Sequence, residues 1–262
     1  MRITTPTPPP DWTSALMRVL AVLTIAAVAN AQHPIPESER WATITHPGNA
    51  PYTVVSPFGY PDRYVGRVDH EYQISRTEVT GTEWFEFVQA YAPYVNEHSI
   101  ASDEFTSRSV ITTGYRQYLL PAANANRPVE IGWRFAARYM NWLHNGKALT
   151  ADAFESGAYD TSTFGDVSGV GFTDQQSRSP GARYWIPSAD EWTKAAHFDP
   201  NRYGEGMPGY WLSSNSSDAV PFPPGLPQNG GLTSTGGLFA FPLPDVASYP
   251  GVQSPWGLLD CS

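Results

Sequence analysis

The stretch RYWIPSADEWTKAAHFD, residues 183–199, decides the fold of this chain. Its residues Tyr184, Trp185 and Ile186 predict a short strand, and Pro187 separates that strand from a helix. Ser188 is typical of a helix N-cap, because its hydroxyl can accept a hydrogen bond from the backbone N–H of Glu191, whose side chain can reach back. The stretch therefore predicts a tight corner between a strand and a capped helix.

The helix of this corner carries an indole and two small side chains on one face. Trp192, Ala195 and Ala196 stand at the spacing that places side chains next to one another on a helix. We expect this face to pack against the rest of the domain. Nothing in the corner points to catalysis, so we interpret it as part of a structural framework.

A second capped helix is predicted upstream, directly after a strand. Residues 65–79 alternate as a half-buried strand does, and one side is formed by Val68, His70, Tyr72 and Ile74. Thr80 then predicts an N-cap, and Glu83 completes a capping box. The apolar face of this second helix is formed by Trp84, Phe87, Val88 and Tyr91.

A third helix is predicted from about Trp133 to His144, and Gly146 supplies its C-terminal stop. Its apolar stripe is formed by Ala136, Tyr139, Met140 and Leu143. Residues 93–127 and 148–182 predict long loops, and 200–262 predict irregular strands. The segment GDVSGVGF at 165–172 lacks the helix and lysine of a phosphate loop, so it indicates a glycine-rich turn.

The first 31 residues have the pattern of an export signal. Arg18 precedes an apolar run at 19–28, and Ala-Asn-Ala at 29–31 offers small residues to signal peptidase. The run is too short to cross a bilayer as a helix. We expect translation to start at Met17 and cleavage to leave Gln32 at the N-terminus, ahead of a lead-in over 32–40. A buried helix is the alternative interpretation.

Composition excludes several function classes. The chain has 262 residues, a net charge of −9 and no Lys or Arg after Arg202, so nucleic acid is not an expected partner. Its 47 Gly and Pro residues, 22 and 25, favour a fold rich in loops. Cys261 is the one cysteine, so no intrachain disulfide and no cysteine-based metal site can form.

The three units, in this order, resemble the sulfatase-modifying factor family, also called the formylglycine-generating enzyme family. YQISRTEVTGTEWFEFVQA (72–90) is similar to the opening of that family, and RPVEIGWRFAARYMNWL (127–143) to its central block. RYWIPSADEWTKAAHFDP (183–200) is similar to its Arg-Leu-Pro-Thr-Glu-x-Glu-Trp block, and GYWLSSN (209–215) suits the family segment after that block. The resemblance covers about residues 41–262.

The resemblance implies an α+β, irregular C-type-lectin-like fold with little regular secondary structure, which frequently carries calcium. Known members oxidise a sulfatase cysteine to formylglycine with oxygen and a copper ion held by two cysteines. Those cysteines lie downstream of a Gly-Asn-Val-Trp-Glu-Trp block, and SPWGLLDCS (254–262) matches the residues just before that block. Cys261 falls where the family usually has an apolar residue, so the resemblance gives it no catalytic role.

We therefore expect an exported domain at 41–262 that is incomplete at its C-terminus and inactive as it stands. The sequence assigns no catalytic or cofactor-binding residue, and any metal ligands are unknown. The resemblance leads us to expect calcium, whereas we do not expect copper in this chain. Two alternatives stay open: a non-catalytic extracytoplasmic module that binds a protein (a sulfatase, for example) or a glycan, and a gene fragment without a separate function. No membrane span is expected once the signal is removed.

Other candidate ligands are weaker. The histidines do not have the spacing of a zinc-protease helix; they stand at 33, 46, 70, 98, 144 and 197. His144 and His197 lie near predicted helix C-termini, where the helix dipole favours them. Four side chains could offer oxygen to calcium or could equally form turns: Asp199, Asn201, Asn215 and Asp218.

Overall fold

The computed structural model describes residues 35–54, 62–169, 171–219, 225–226, 229–231, 243–259 and 261. The predicted signal peptide at 1–31, with its start at Met17, lies outside the described residues. The description therefore covers most of the lead-in and of the predicted domain.

Short helices and paired strands alternate along the described chain. The α-helices are α1 (Gly81–Tyr91), α2 (Asp103–Thr106), α3 (Trp133–His144), α4 (Asp152–Glu155) and α5 (Ala189–His197). The strands are β1 (Trp41–Ile44), β2 (Tyr52–Val54), β3 (Arg63–Val65), β4 (Tyr72–Ser75), β5 (Ile111–Gly114), β6 (Gln117–Leu119), β7 (Asp166–Val167), β8 (Gly171–Phe172), β9 (Phe198–Asp199) and β10 (Gly209–Tyr210). This arrangement confirms an α+β fold with little regular structure.

Every sheet in the described part consists of two antiparallel strands. The pairs are β1 with β4, β2 with β3, β5 with β6, β7 with β8, and β9 with β10. In the first pair, Trp41 lies opposite Ser75 and Ile44 opposite Tyr72. The structure thus corrects the prediction of one long strand over 65–79, because only four residues of that stretch pair as β4.

The break in that stretch falls at Gly66, whose backbone adopts a positive φ of 86°. A Cβ at this position would lie 2.8 Å from the hydroxyl oxygen of Tyr210, so a larger residue would displace that ring. The Gly66 carbonyl accepts hydrogen bonds from Asn49 at 2.7 Å and from the Tyr210 hydroxyl at 2.8 Å. Its N–H donates to Asp190 of α5 at 2.8 Å.

The main core lies between α1 and α3. The capping box of Thr80 and Glu83 is confirmed, and all four predicted apolar residues of α1 are buried. The bounds of α3 agree with the prediction, but its buried face agrees only in part: Tyr139 of the predicted stripe is buried, whereas Met140 and Leu143 are half-buried. Phe135 and Trp142, outside that stripe, are buried as well. Since α3 also packs against α4, residues outside the predicted stripe are covered.

The third unit is confirmed at its helix and corrected at its strand. The capping box of Ser188 and Glu191 starts α5 as predicted, but residues 184–186 form no strand. Trp192 is 44% exposed, while Lys194 is fully buried with Ala195 and Ala196. The packed face of α5 is therefore rotated away from Trp192, toward β1 and β4. There Ala195 packs in a second core cluster, which also contains Ile44 and Ile74.

The two regions predicted as long loops contain short helices and hairpins whose strands are close neighbours in the sequence. Residues 93–127 hold α2 and the β5–β6 hairpin, and 148–182 hold α4 and the β7–β8 hairpin. The latter hairpin agrees with a turn in GDVSGVGF. The longest helix in the described part has 12 residues, and none there is both long and apolar enough to traverse a bilayer.

Candidate functional site

A cleft of about 780 Å³ opens between the β1–β4 pair, α3 and the loop before α5. The strand wall is formed by consecutive residues from Tyr72 to Val79. The helix wall comes from the predicted α3 stripe and comprises Tyr139, Met140 and Leu143. The third wall is aromatic, with Tyr184, Trp185 and Trp192, and the floor is formed by Leu258, Leu259 and Cys261. This volume is within the range of ligand-binding pockets.

The aromatic wall is held in place from behind. The Trp185 Nε1–H donates to Glu191 at 3.0 Å, and the Arg178 guanidinium lies 3.8 Å from the centre of the Trp185 ring. Across the cleft mouth, the rings of Trp41 and Tyr184 are 6.3 Å apart. Because polar and stacking contacts fix Trp185, this wall is preformed rather than loose.

Glu191 is the centre of a buried polar network next to this wall. Its carboxylate lies 2.8 Å from His70 Nε2, and it accepts hydrogen bonds from Arg178 at 2.7 Å and from the Ser188 N–H at 2.9 Å. Burial alone would raise the pKa of Glu191, but these donors together with Trp185 outweigh it and hold the pKa below 4.5. The network joins α5 to the segment before β4.

Among the residues that the structure describes, cations outnumber carboxylates along the cleft. Arg40 pairs with Glu83, Arg183 contacts the His144 carbonyl, and Arg76 Nε donates to the Gly257 carbonyl at 2.7 Å. Among the described residues of the lining, Glu78 is the one acidic side chain. This positive lining contrasts with the net charge of −9 of the whole chain, so the cleft favours a ligand with negative charge.

Two buried tyrosines of the lining stay neutral at ordinary pH. Burial raises the pKa of Tyr72, with the charge of Glu191 adding to it, and burial also raises the pKa of Tyr139. The Tyr72 hydroxyl donates to the backbone carbonyl of Glu191. Neither phenol is a candidate base, and both serve to position the walls.

Cys261 lies on the cleft floor and is partly buried. Its Sγ is 3.5 Å from the Leu259 carbonyl oxygen. The leucines beside it are buried at 3% and 7% exposure, so the thiol borders an apolar surface. A copper ion held by two thiolates needs a second cysteine that this chain does not supply.

Three of the four side chains that could offer oxygen to calcium are engaged with protein donors instead. Asp199 accepts from the Asn201 N–H at 2.8 Å and from Trp211 Nε1–H at 3.1 Å. The Asn201 side-chain oxygen accepts from the Gly206 N–H at 2.8 Å. Asp218 pairs with Arg202, and the Asn215 side-chain oxygen is buried without a partner among the described residues. The contacts of Asn201 with Asp199 and Gly206 are those of turns, and Arg202 neutralises Asp218, so these three residues do not fit a calcium site.

The histidines are also structural where they are described. His144 and His197 lie in the last turns of α3 and α5, as predicted. His144 Nδ1 accepts from the Arg183 N–H at 3.0 Å, and burial lowers the pKa of His197. Among the described residues, no three His, Cys, Asp or Glu side chains come together as metal ligands would.

The cleft itself was not predicted. Its lining comes from five separate parts of the sequence, and no local pattern reports such an assembly. The signals present in the sequence were an apolar stripe on α3 and an indole on α5, which local periodicity assigns to the core. The structure buries Tyr139 of that stripe but leaves Met140 and Leu143 half-buried and Trp192 exposed on the cleft.

A comparison with family models gave a match over residues 39–236, to the model described as sulfatase-modifying factor enzyme 1-like domain. A search of curated proteins gave no match. A search of solved structures likewise gave none.

Proposed function

The chain belongs to the family of sulfatase-modifying factor enzyme 1-like domains, and from this we propose an exported domain with a C-type-lectin-like fold that does not itself generate formylglycine. The observation that carries the proposal is the thiol content of the cleft. Cys261 is the one cysteine of the chain, and it lies on an apolar floor. The copper chemistry implied by the resemblance needs two thiolates at one site.

Export is supported by the pattern of residues 1–31. Calcium stays a proposal drawn from the family resemblance alone, because three of the four candidate ligands are engaged with protein donors. A sulfatase is proposed as one possible protein ligand.

An assay for formylglycine formation tests the proposal directly. The protein is incubated with copper, oxygen and a peptide containing Cys-x-Pro-x-Arg, and aldehyde is detected by hydrazide labelling and mass spectrometry. We expect no aldehyde, while an active family oxidase in a parallel reaction gives one. Aldehyde formed by the wild-type chain would overturn the proposal, and a parallel Cys261→Ser variant would show whether the thiol is responsible.

The cleft favours a second candidate, a non-catalytic binding module for an extracytoplasmic ligand. Aromatic side chains line a preformed concave surface, and arginine side chains stand beside them in the lining. That composition is typical of ligand sites. A glycan array and a panel of sulfatases, each probed with wild-type protein and with Trp192→Ala, test this candidate; ligands held equally well by both proteins would contradict binding at the cleft.

A further inference from the structure

The strand wall of the cleft is an edge and not a face. Side chains alternate between the two faces of a strand, so a cavity over one face would touch every second residue. Here all residues from Tyr72 to Val79 line the cavity. The cavity therefore runs beside the backbone of β4 and its extension.

The pairing of β4 leaves that edge accessible. Arg76 N–H donates to the Arg40 carbonyl at 2.9 Å, and Trp41 lies opposite Ser75. Since hydrogen-bonded and non-hydrogen-bonded pairs alternate in an antiparallel ladder, the backbone groups of Gln73 and Ser75 point away from β1. No strand in the described part of the chain pairs with them there.

The surfaces that flank this edge suit the side chains of an added strand. Met140 and Leu143 lie on one side, and Trp185 and Trp192 belong to the aromatic wall. Apolar pockets beside a strand edge select alternate side chains of a bound peptide, while its backbone pairs with the edge. An extended segment of five or six residues spans about 17–20 Å.

The positive charge of Arg76 indicates which group one end of a bound strand would carry. Arg76 stands directly after β4, and its Nε binds the Gly257 carbonyl. Among the described residues, the side-chain hydrogen bond of Arg76 is made by Nε, and no ion pair or hydrogen bond engages its terminal guanidinium nitrogens. A carboxylate beside them would form a charge-assisted pair.

We propose that the free edge of β4, from Gln73 to Ser75, binds an extended peptide of another polypeptide by strand addition. The peptide alternates apolar and polar residues and carries a carboxylate next to Arg76. This inference deepens the binding-module candidate and rests on it. It names the ligand class, an apolar and acidic peptide strand, and the backbone groups that hold it.

The test uses a fluorescein-labelled octapeptide that alternates Thr and Val, with one central Trp and a terminal Asp. Its control has the same side chains but carries N-methyl groups at alternate backbone nitrogens, which cannot pair with an edge. We expect fluorescence anisotropy to show binding of the first peptide. The methylated peptide should bind at least about tenfold more weakly, because main-chain hydrogen bonds supply much of the affinity.

Variants of the protein locate the site. Trp192→Ala should weaken binding about tenfold, since large aromatic contacts dominate peptide affinity, whereas Tyr64→Ala on β3, also exposed, should leave it unchanged. Arg76→Gln should weaken the Asp peptide about fivefold and leave an Asn-ended peptide unaffected. Circular dichroism confirms that each variant is folded.

Amide hydrogen exchange supplies the deciding readout. We expect added peptide to slow exchange at Gln73 and Ser75, and the methylated peptide to leave it unchanged. Peptide binding without this protection would overturn strand addition while leaving the cleft a binding site. The proposal would be overturned if the labelled peptide did not bind at concentrations up to about 1 mM. It would also be overturned if the chain associated with itself and Trp192→Ala abolished that association. The glycan and sulfatase panels test the binding module separately.

Discussion

The carboxylate of Glu191 lies 2.8 Å from Nε2 of His70, which is 121 positions earlier in the chain. Glu191 is 3% exposed, and the same carboxylate also closes the capping box of α5. One side chain therefore starts a helix and ties that helix to the segment leading into β4. Since β4 forms a wall of the cleft, this contact also fixes the site.

Replacing Glu191 by Gln is expected to lower the free energy of unfolding by about 3 kcal/mol, because a buried network loses its charged partner. Urea denaturation measures the change. Glu205→Gln is the matched control, since Glu205 is exposed, and it should cost less than about 0.5 kcal/mol. Equal effects of the two substitutions would contradict the buried network.

Acidic pH should remove the contribution of Glu191 to the free energy of unfolding. Its pKa is lowered in the folded state from 4.5, so its contribution is complete above about pH 4.5 and is lost as pH falls through the folded pKa. The difference in unfolding free energy between wild type and Glu191→Gln should shrink below that pH. A difference that stays constant down to acid unfolding would show that the carboxylate charge is not responsible.

Lys194 should give a pH dependence at the alkaline end instead. It is fully buried, donates to the His46 carbonyl at 2.9 Å, and burial lowers its pKa from 10.5. At pH values between the pKa of Lys194 in the folded state and 10.5, the unfolded chain binds more protons than the folded chain. The free energy of unfolding of the wild type should therefore rise with pH relative to that of Lys194→Met. Urea titrations at neutral and alkaline pH measure this difference.

The control for Lys194 is Lys147→Met, because Lys147 is exposed and pairs with Glu86 on the surface. We expect that substitution to cost less than about 1 kcal/mol. If the wild-type advantage over Lys194→Met failed to grow with pH, burial of the charged amine would be refuted.

Asn141 should be irreplaceable by a residue of similar size. Its side-chain amide donates to the carbonyls of Phe154 and Tyr159, both at 2.9 Å, and its oxygen accepts from the Tyr159 N–H at 2.7 Å. Asn141→Leu leaves these buried backbone groups unpaired and should cost about 3 kcal/mol. Asn145→Leu, one turn further on, affects a more exposed amide and should cost about 1 kcal/mol; thermal melts compare the two.

Two tryptophans should respond differently to the same substitution. Trp84 on α1 is fully buried, so Trp84→Ala should cost about 4 kcal/mol. Trp192 on α5 is 44% exposed, and Trp192→Ala should cost about 1 kcal/mol or less. Denaturant midpoints at constant m-value measure both, and a large cost at Trp192 would mean that this indole is part of the core.

Local signals predicted the framework well. Thr80 with Glu83 and Ser188 with Glu191 each satisfy helix N–H groups within three residues, so the helix starts are legible in the sequence. The same holds for the end of α3 near Gly146, which has a positive φ. Strands were predicted less well, because a segment such as 184–186 forms a strand only where a partner strand lies beside it.

The sequence by itself determined the family, the capped helix starts and the single thiol of the chain. Only the tertiary structure decided which helix faces are buried, that Lys194 is inside and Trp192 outside, and that a cleft lies along β4. The physical reason is the separation in sequence between the residues that interact. Capping bonds join residues a few positions apart, whereas the contacts of Glu191 with His70 and of Lys194 with His46 join residues more than a hundred positions apart, where local periodicity carries no information.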